Sequence, residues 1–217
     1  MDQKELDKQS QHWENNFSRK PEMFGLAPSV AAKKSIKLFK EKNIKNIIEL
    51  GAGLGRDTIF FAENSLKVNV LDYSPSAVKI INDKSKKNNL LNFISAKVFD
   101  IRKKLPFKDG SIDGCFSHML YCMALSMSEL ENLNKEIHRI LKPGGINIYT
   151  VRHTEDGDYK NGTHIGEDLY ENDGFIVHFF SKDKVNHLSK NFEILNIEKF
   201  EEGSFPRKLF KVTAKKK

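Results

Sequence analysis

A short apolar run, Asn46-Ile47-Ile48-Glu49-Leu50, breaks directly into Gly51-Ala52-Gly53-Leu54-Gly55, and a helix-forming stretch follows from Asp57 to Asn64. That order reads as a buried strand, a tight glycine turn and a helix. The same rhythm then repeats down the chain. Lys67 to Leu71 is a second strand, closed by Asp72, and Ser74-Pro75-Ser76 caps a helix over Ala77 to Asn88. Asn92 to Val98 and Ser111 to Ser117 read as the third and fourth strands. Leu130, Leu133, Ile137, Ile140 and Leu141 recur at helical spacing, Pro143-Gly144-Gly145 stops that helix, and Ile146 to Val151 is a fifth strand. Strands alternating with helices predict parallel βαβ units in an open, doubly wound α/β sheet.

The flanks are less regular. Ser29 to Lys42 has the pattern of an amphipathic helix, and Phe192 to Phe200 with Lys208 to Thr213 reads as a terminal antiparallel hairpin. Between them, Arg152 to Gly174 is rich in Gly, Asp, Asn and His with little periodicity, which reads as a long functional loop. We expect a single domain over 1–217, with an N-terminal lid over 1–28, a cofactor-binding core over 29–151, and a substrate loop and terminal hairpin over 152–217.

Composition narrows the setting. With 39% hydrophobic and 30% charged residues, the chain can bury a core, and no stretch approaches the roughly 18 apolar residues of a membrane helix. The polar first residues lack the apolar region of a secretory signal, and Cys115 and Cys122 fit neither a disulfide framework nor a zinc pair. A cytoplasmic location is the expectation. The net charge of +7 invites a nucleic-acid partner, but the lysines are spread along the chain, so nucleic acid is not the expected partner. No dedicated metal is expected either, since His153, His164 and His178 lack helix-spaced pairing. The oligomeric state is not readable.

A dinucleotide turn of the type GxGxxG needs glycine at position 56, where this chain has Arg56. The spacing Glu49-x-Gly51-x-Gly53-x-Gly55 resembles instead the S-adenosylmethionine loop of class I methyltransferases. Asp72, about 20 residues on, is placed to accept hydrogen bonds from both ribose hydroxyls, and Asp100-Ile101 to meet the adenine amino group and ring face. Leu105-Pro106-Phe107-Lys108-Asp109-Gly110-Ser111-Ile112-Asp113 and Ile140-Leu141-Lys142-Pro143-Gly144-Gly145 recur in that family before its fourth and fifth strands. The resemblance covers residues 45 to 151. It implies a Rossmann-like seven-stranded sheet of order 3-2-1-4-5-7-6, helices on both faces, and an antiparallel last strand. It also implies that Glu49, Gly51, Ala52, Gly53, Asp72, Tyr73, Asp100, Ile101 and His118 surround S-adenosyl-L-methionine.

The acceptor is written less clearly. After the fourth strand the chain has Ser117-His118-Met119-Leu120-Tyr121-Cys122, and not the Asn/Asp-Pro-Pro-aromatic tetrad common in enzymes that methylate exocyclic nitrogens. The flanks resemble small-molecule methyltransferases of the tellurite-resistance and thiopurine type. His118 and Tyr121 are the expected contacts with the acceptor, His118 as a base near neutral pH. Trp13, Arg152, His178 and Arg207 are further substrate candidates, the last three as a cationic wall for an anionic acceptor. The segment Trp13-Glu14…Phe17 with Gly25-Leu26-Ala27-Pro28 reads either as a lid or as a helix pinned to the sheet by its aromatics. The expected function is methyl transfer to a small thiol, chalcogen oxyanion or carboxylic metabolite. An RNA or protein methyltransferase and a non-catalytic cofactor-binding partner protein stand as alternatives.

Overall fold

The computed structural model describes residues 3–20, 23–203 and 206–217. Residues 1, 2, 21 and 22 of the expected lid segment, and 204 and 205 of the hairpin turn, lie outside the described residues.

Five parallel strands form the centre: β1 (Asn46–Leu50), β2 (Lys67–Asp72), β3 (Ile94–Val98), β4 (Ile112–His118) and β5 (Leu141–Arg152). The helices between them are α3 (Arg56–Glu63), α4 (Pro75–Lys87) and α5 (Met127–Ile140), with α1 (Gln3–Arg19) and α2 (Val30–Glu41) ahead of the sheet. After β5 come β6 (Thr163–Gly166), β7 (Leu169–Asn172), β8 (Phe175–His178) and α6 (Lys182–Leu188). The chain ends in β9 (Phe192–Glu202) and β10 (Arg207–Lys216). The main sheet is seven-stranded, in the order β3-β2-β1-β4-β5-β10-β9, and β10 runs antiparallel to both neighbours. Counting only its strands, that is the expected 3-2-1-4-5-7-6.

Alternation along the strands builds two cores. Ile48, Leu50 and Tyr149 face α5 and α6, where Leu133, Ile137 and Val185 meet them, whereas Ile47, Phe116 and Ile148 face Phe39 of α2 and Phe61 of α3. Local chemistry sets the helix starts. Ser29, Ser74 and Ser126 each accept a backbone N–H with the side chain, and Ser126 with Glu129 forms a capping box on α5.

The stretch 152–174 is not the aperiodic loop its composition suggests. It carries β6 and β7, which join β8 in a separate three-stranded antiparallel sheet. The strands are four residues each, too short for a period-2 signal to rise above their polar residues. β5 also begins five residues early, at Leu141, because a register shift opposite Ile112 and Gly114 absorbs the Pro-Gly-Gly segment.

Candidate functional site

The strand order reverses between β1 and β4, whose carboxyl ends therefore open a crevice at the switch point. The glycine turn forms its floor. Gly51 has φ +65, and a Cβ there would lie 2.8 Å from Leu120 Cδ1, so the β4 loop can close over the turn only on glycine. Gly53 (φ +52) lies under the ring of Phe17, 3.4 Å from where its Cβ would be.

Three carboxylates are buried beside this turn, Asp57 held by the Ser29 N–H and hydroxyl, and Glu49 and Asp72 nearer the glycines. Asp72 ends β2, and its oxygens accept the N–H groups of Gly53 and Ser74, each at 2.9 Å. Burial pushes its pKa up to about 6, against the lowering effect of those bonds. Glu49 is 2% exposed and accepts the Thr58 hydroxyl at 2.6 Å. Burial, helped by the charges of Asp57 and Asp72, raises its pKa to about 8. With Gly51, Ala52, Gly53 and Tyr73, these acids line a cavity of about 720 Å³. That volume falls in the range of small-molecule sites.

The roof is α1. Its Trp13 and Phe17 pack with each other and with Phe24, Trp13 also meets Phe175 of β8, and all four rings line the same cavity. Polar contacts fasten the helix to both halves of the molecule. Glu14 accepts from the hydroxyls of Ser74 and Ser76 at 2.5 Å, and the Gln9 amide bonds the backbone of Gly174 and Ile176. Arg56 adds a clasp, donating to the Phe24 carbonyl at 3.0 Å and to Glu202 at 3.1 Å. One guanidinium thus ties the N-terminal segment and the terminal hairpin to the glycine turn.

The far end of the cavity corrects several expectations. His118 does line it, with Nδ1 3.0 Å from the Thr150 hydroxyl and Nε2 3.7 Å from Glu202. Burial and the charges of Arg56 and Arg207 push its pKa down to about 3, which leaves the ring a neutral imidazole and a weaker base than expected. Tyr121 is not an acceptor contact. It is fully buried, stacks on Tyr149 at 4.2 Å and donates its hydroxyl to Asn134 at 2.7 Å. His178 is likewise withdrawn, bonded through Nδ1 to the Leu125 carbonyl and through Nε2 to Lys184 Nζ. The cationic wall therefore lacks it. Arg152 lines the cavity but is ion-paired with Asp156 and Asp158. Arg207 lines it too, and among the described residues its side chain has no ion pair. Asp100 and Ile101 stand off the cavity lining: Arg102 grips the Asp100 carboxylate, and Ile101 packs in the core.

Sequence reasoning missed Arg56 as a clasp, did not find Thr150 or Glu202, and named Glu14 only as part of the expected lid segment. Arg56 had a signal, since it stands where a dinucleotide turn requires glycine. The other three are ordinary strand and helix residues until the fold brings them together. Among the described residues, no group of three or more His, Cys, Asp or Glu is placed to hold a metal ion, and no helix is long and apolar enough to cross a membrane.

Residues 48–149, the stretch that builds the floor and the buried acids, match the family described as "Methyltransferase domain". The chain carries a methyltransferase domain. Phosphoethanolamine N-methyltransferase 1 of Triticum aestivum is 35% identical over 155 residues, covering 68% of this chain and 28% of the relative. The tRNA N(3)-methylcytidine methyltransferase trm140 of Schizosaccharomyces pombe is 29% identical over 167 residues, covering 70% and 52%. The chain therefore spans from about a quarter to about half the length of these two relatives. Solved methyltransferase structures share the domain's architecture. Burkholderia thailandensis 1,6-didemethyltoxoflavin-N1-methyltransferase, solved with S-adenosylhomocysteine, matches at TM-score 0.74 and 14% identity over 95% of this chain and 86% of its own. TehB from Haemophilus influenzae matches at TM-score 0.68 and 18% identity over 94% and 67%. At these identities the likeness shows the fold of the methyltransferase domain alone.

Proposed function

We propose that the chain, as one methyltransferase unit with α1 as its lid, transfers a methyl group from S-adenosylmethionine to a small acceptor with an anionic or soft nucleophile. A thiol, a chalcogen oxyanion or a carboxylic metabolite fits that description. The observation that carries this reading is the polarity of one roofed cavity. Buried carboxylates and a glycine floor lie at one end, and a neutral imidazole with the Arg207 guanidinium at the other.

The donor's chemistry fits the first end. S-adenosylmethionine supplies a methyl carbon already activated by a sulfonium, displaced in line with the electron pair leaving on sulfur. Asp72 would hold the ribose hydroxyls with the oxygen lone pairs that Gly53 and Ser74 leave open. Glu49 offers the cationic amino-acid end a carboxylate that the protein alone leaves protonated at neutral pH.

At the second end Arg56 is ion-paired with Glu202, and Arg152 with Asp156 and Asp158, while Arg207 has no ion pair among the described residues and adds its charge next to His118. A guanidinium left open in this way favours an acceptor that arrives as an anion, for which no base is required. The aromatic roof would keep water from the methyl group, and the cavity walls would align it with the nucleophile, an effect worth several kcal/mol. Two buried free cysteines accord with work in a reducing cytosol.

The test uses S-adenosylmethionine labelled in its methyl group, with thiols, selenite and tellurite, carboxylic acids and bulk tRNA as acceptors. Transfer to one of the small acceptors supports the proposal. Transfer to tRNA alone would move the function to the alternative that the net charge of +7 and the fission-yeast relative favour. Cofactor binding without transfer to any of them would leave a binding module.

A further inference from the structure

Thr150 and His118 are partners in the β4–β5 register, so their side chains stand side by side at the cavity end of the sheet. Thr150 is fully buried, and its oxygen already accepts the Met119 N–H at 2.9 Å. The hydroxyl proton needs an acceptor of its own, and His118 Nδ1 lies 3.0 Å away. If Nδ1 instead carried the ring proton, that hydroxyl hydrogen would be stranded in the core, a costly arrangement.

The other edge of the ring agrees. Nε2 faces Glu202 Oε2 at 3.7 Å, and that oxygen is buried with no hydrogen-bond partner among the described residues. Its sister oxygen is held by Arg56 at 3.1 Å. At 3.7 Å the pair is beyond hydrogen-bond length, so an N–H on Nε2 is attracted by the carboxylate yet still open to an acceptor, whereas a nitrogen lone pair there would be repelled.

We infer that His118 meets the acceptor as a neutral Nε2–H hydrogen-bond donor, with Thr150 and Glu202 as the positioning residues that fix this tautomer. The inference rests on reading the cavity as the methyl-transfer site. It assigns His118 no proton to remove, because both ring nitrogens are committed. The acceptor must then bring its nucleophilic lone pair already free. That pair forms the bond to the methyl carbon, the methyl–sulfur pair leaves on sulfur, and no proton passes to the ring. The charged groups around His118 are Arg56 from α3, Arg207 from β10 and Glu202 from β9. The two arginines and burial oppose the imidazolium, and Glu202 is the carboxylate that would favour it.

The experiment is a long-range proton–nitrogen correlation spectrum of the protein labelled with 15N-histidine, free and saturated with S-adenosylhomocysteine, from pH 5.5 to 8.5. His118→Gln assigns the signals. The expected result is a protonated Nε2 and an unprotonated Nδ1 for His118 throughout, kept in Thr150→Ser, with a measurable Nδ1–H fraction in Thr150→Val. A ring that is Nδ1–H in the native protein, or that becomes imidazolium within this range, overturns the inference. So does Thr150→Val with the native tautomer unchanged. If that variant fails to fold, the native and Thr150→Ser spectra still decide. Failure of S-adenosylhomocysteine to bind would instead sink the methyl-transfer reading, while the free protein still reports the tautomer.

Discussion

Glu49 sits at the end of β1 with its pKa near 8, so at neutral pH the free protein holds it mostly protonated. A bound cation reverses that preference and expels the proton. Cofactor affinity should therefore rise with pH, by up to about tenfold per unit between pH 6 and 8, and level off above 8. Calorimetry at pH 7 in buffers of different ionisation enthalpy should show about one proton released, and Glu49→Gln should abolish the release and flatten the profile. Asp72→Asn tests the neighbouring acid. An amide can accept only one of the two N–H groups now held by the carboxylate, so cofactor affinity should fall about ten- to a hundredfold. Tyr121→Phe should do the opposite. Loss of its bond to Asn134 should lower stability by about 1 kcal/mol in urea unfolding while leaving cofactor binding and turnover unchanged.

At the scale of elements, α1 roofs the cavity, with Trp13 and Phe17 in its lining. Its hold on the cofactor side is the Glu14 carboxylate on Ser74 and Ser76, at the start of α4. Glu14→Ala should release that end. The expected outcomes are cofactor dissociation faster by about tenfold, the equivalent of one lost charged hydrogen bond, and quicker proteolytic cleavage within residues 3–19. Stopped-flow fluorescence of Trp13, the only tryptophan, reads the first outcome. An unchanged rate would mean that the aromatic contacts, Gln9 and the Arg56 clasp hold the roof without Glu14. The elements also differ in how far they were legible. β1 and α4 announce themselves through Ile47-Ile48 before the glycines and through Ser74-Pro75, because strand, turn and cap chemistry are local. β6 to β8 do not. Their turns pass through Glu167, Asp173 and Gly174 at positive φ, and their apolar residues, Leu169 and Ile176, meet Ile165 and Ala124 in a small cluster that leaves no period along the chain.

For the whole molecule, ligand binding and stability are linked, since the roof and the floor close around one cavity. S-adenosylhomocysteine at about 100 times its Kd should add about 2.7 kcal/mol to the folded state. For a chain of 217 residues that is about 5–10 °C in Tm by differential scanning fluorimetry, with no shift from NAD. A shift from NAD and none from S-adenosylhomocysteine would contradict the assigned cofactor end. The sequence by itself determined the floor of the cavity: a strand, a glycine turn, a helix and an acid some 20 residues on lie close along the chain, and their packing needs few distant partners. The acceptor end was decided by tertiary structure. There the insertion of β10 between β5 and β9 brings Arg207 opposite Glu202, two residues along from Leu209, which pairs with Arg152. His118, Thr150, Arg56 and Glu202 meet across three strands and a helix. Whether a histidine there is a base or a fixed donor depends on burial and on those neighbours, and no local pattern in the chain encodes either.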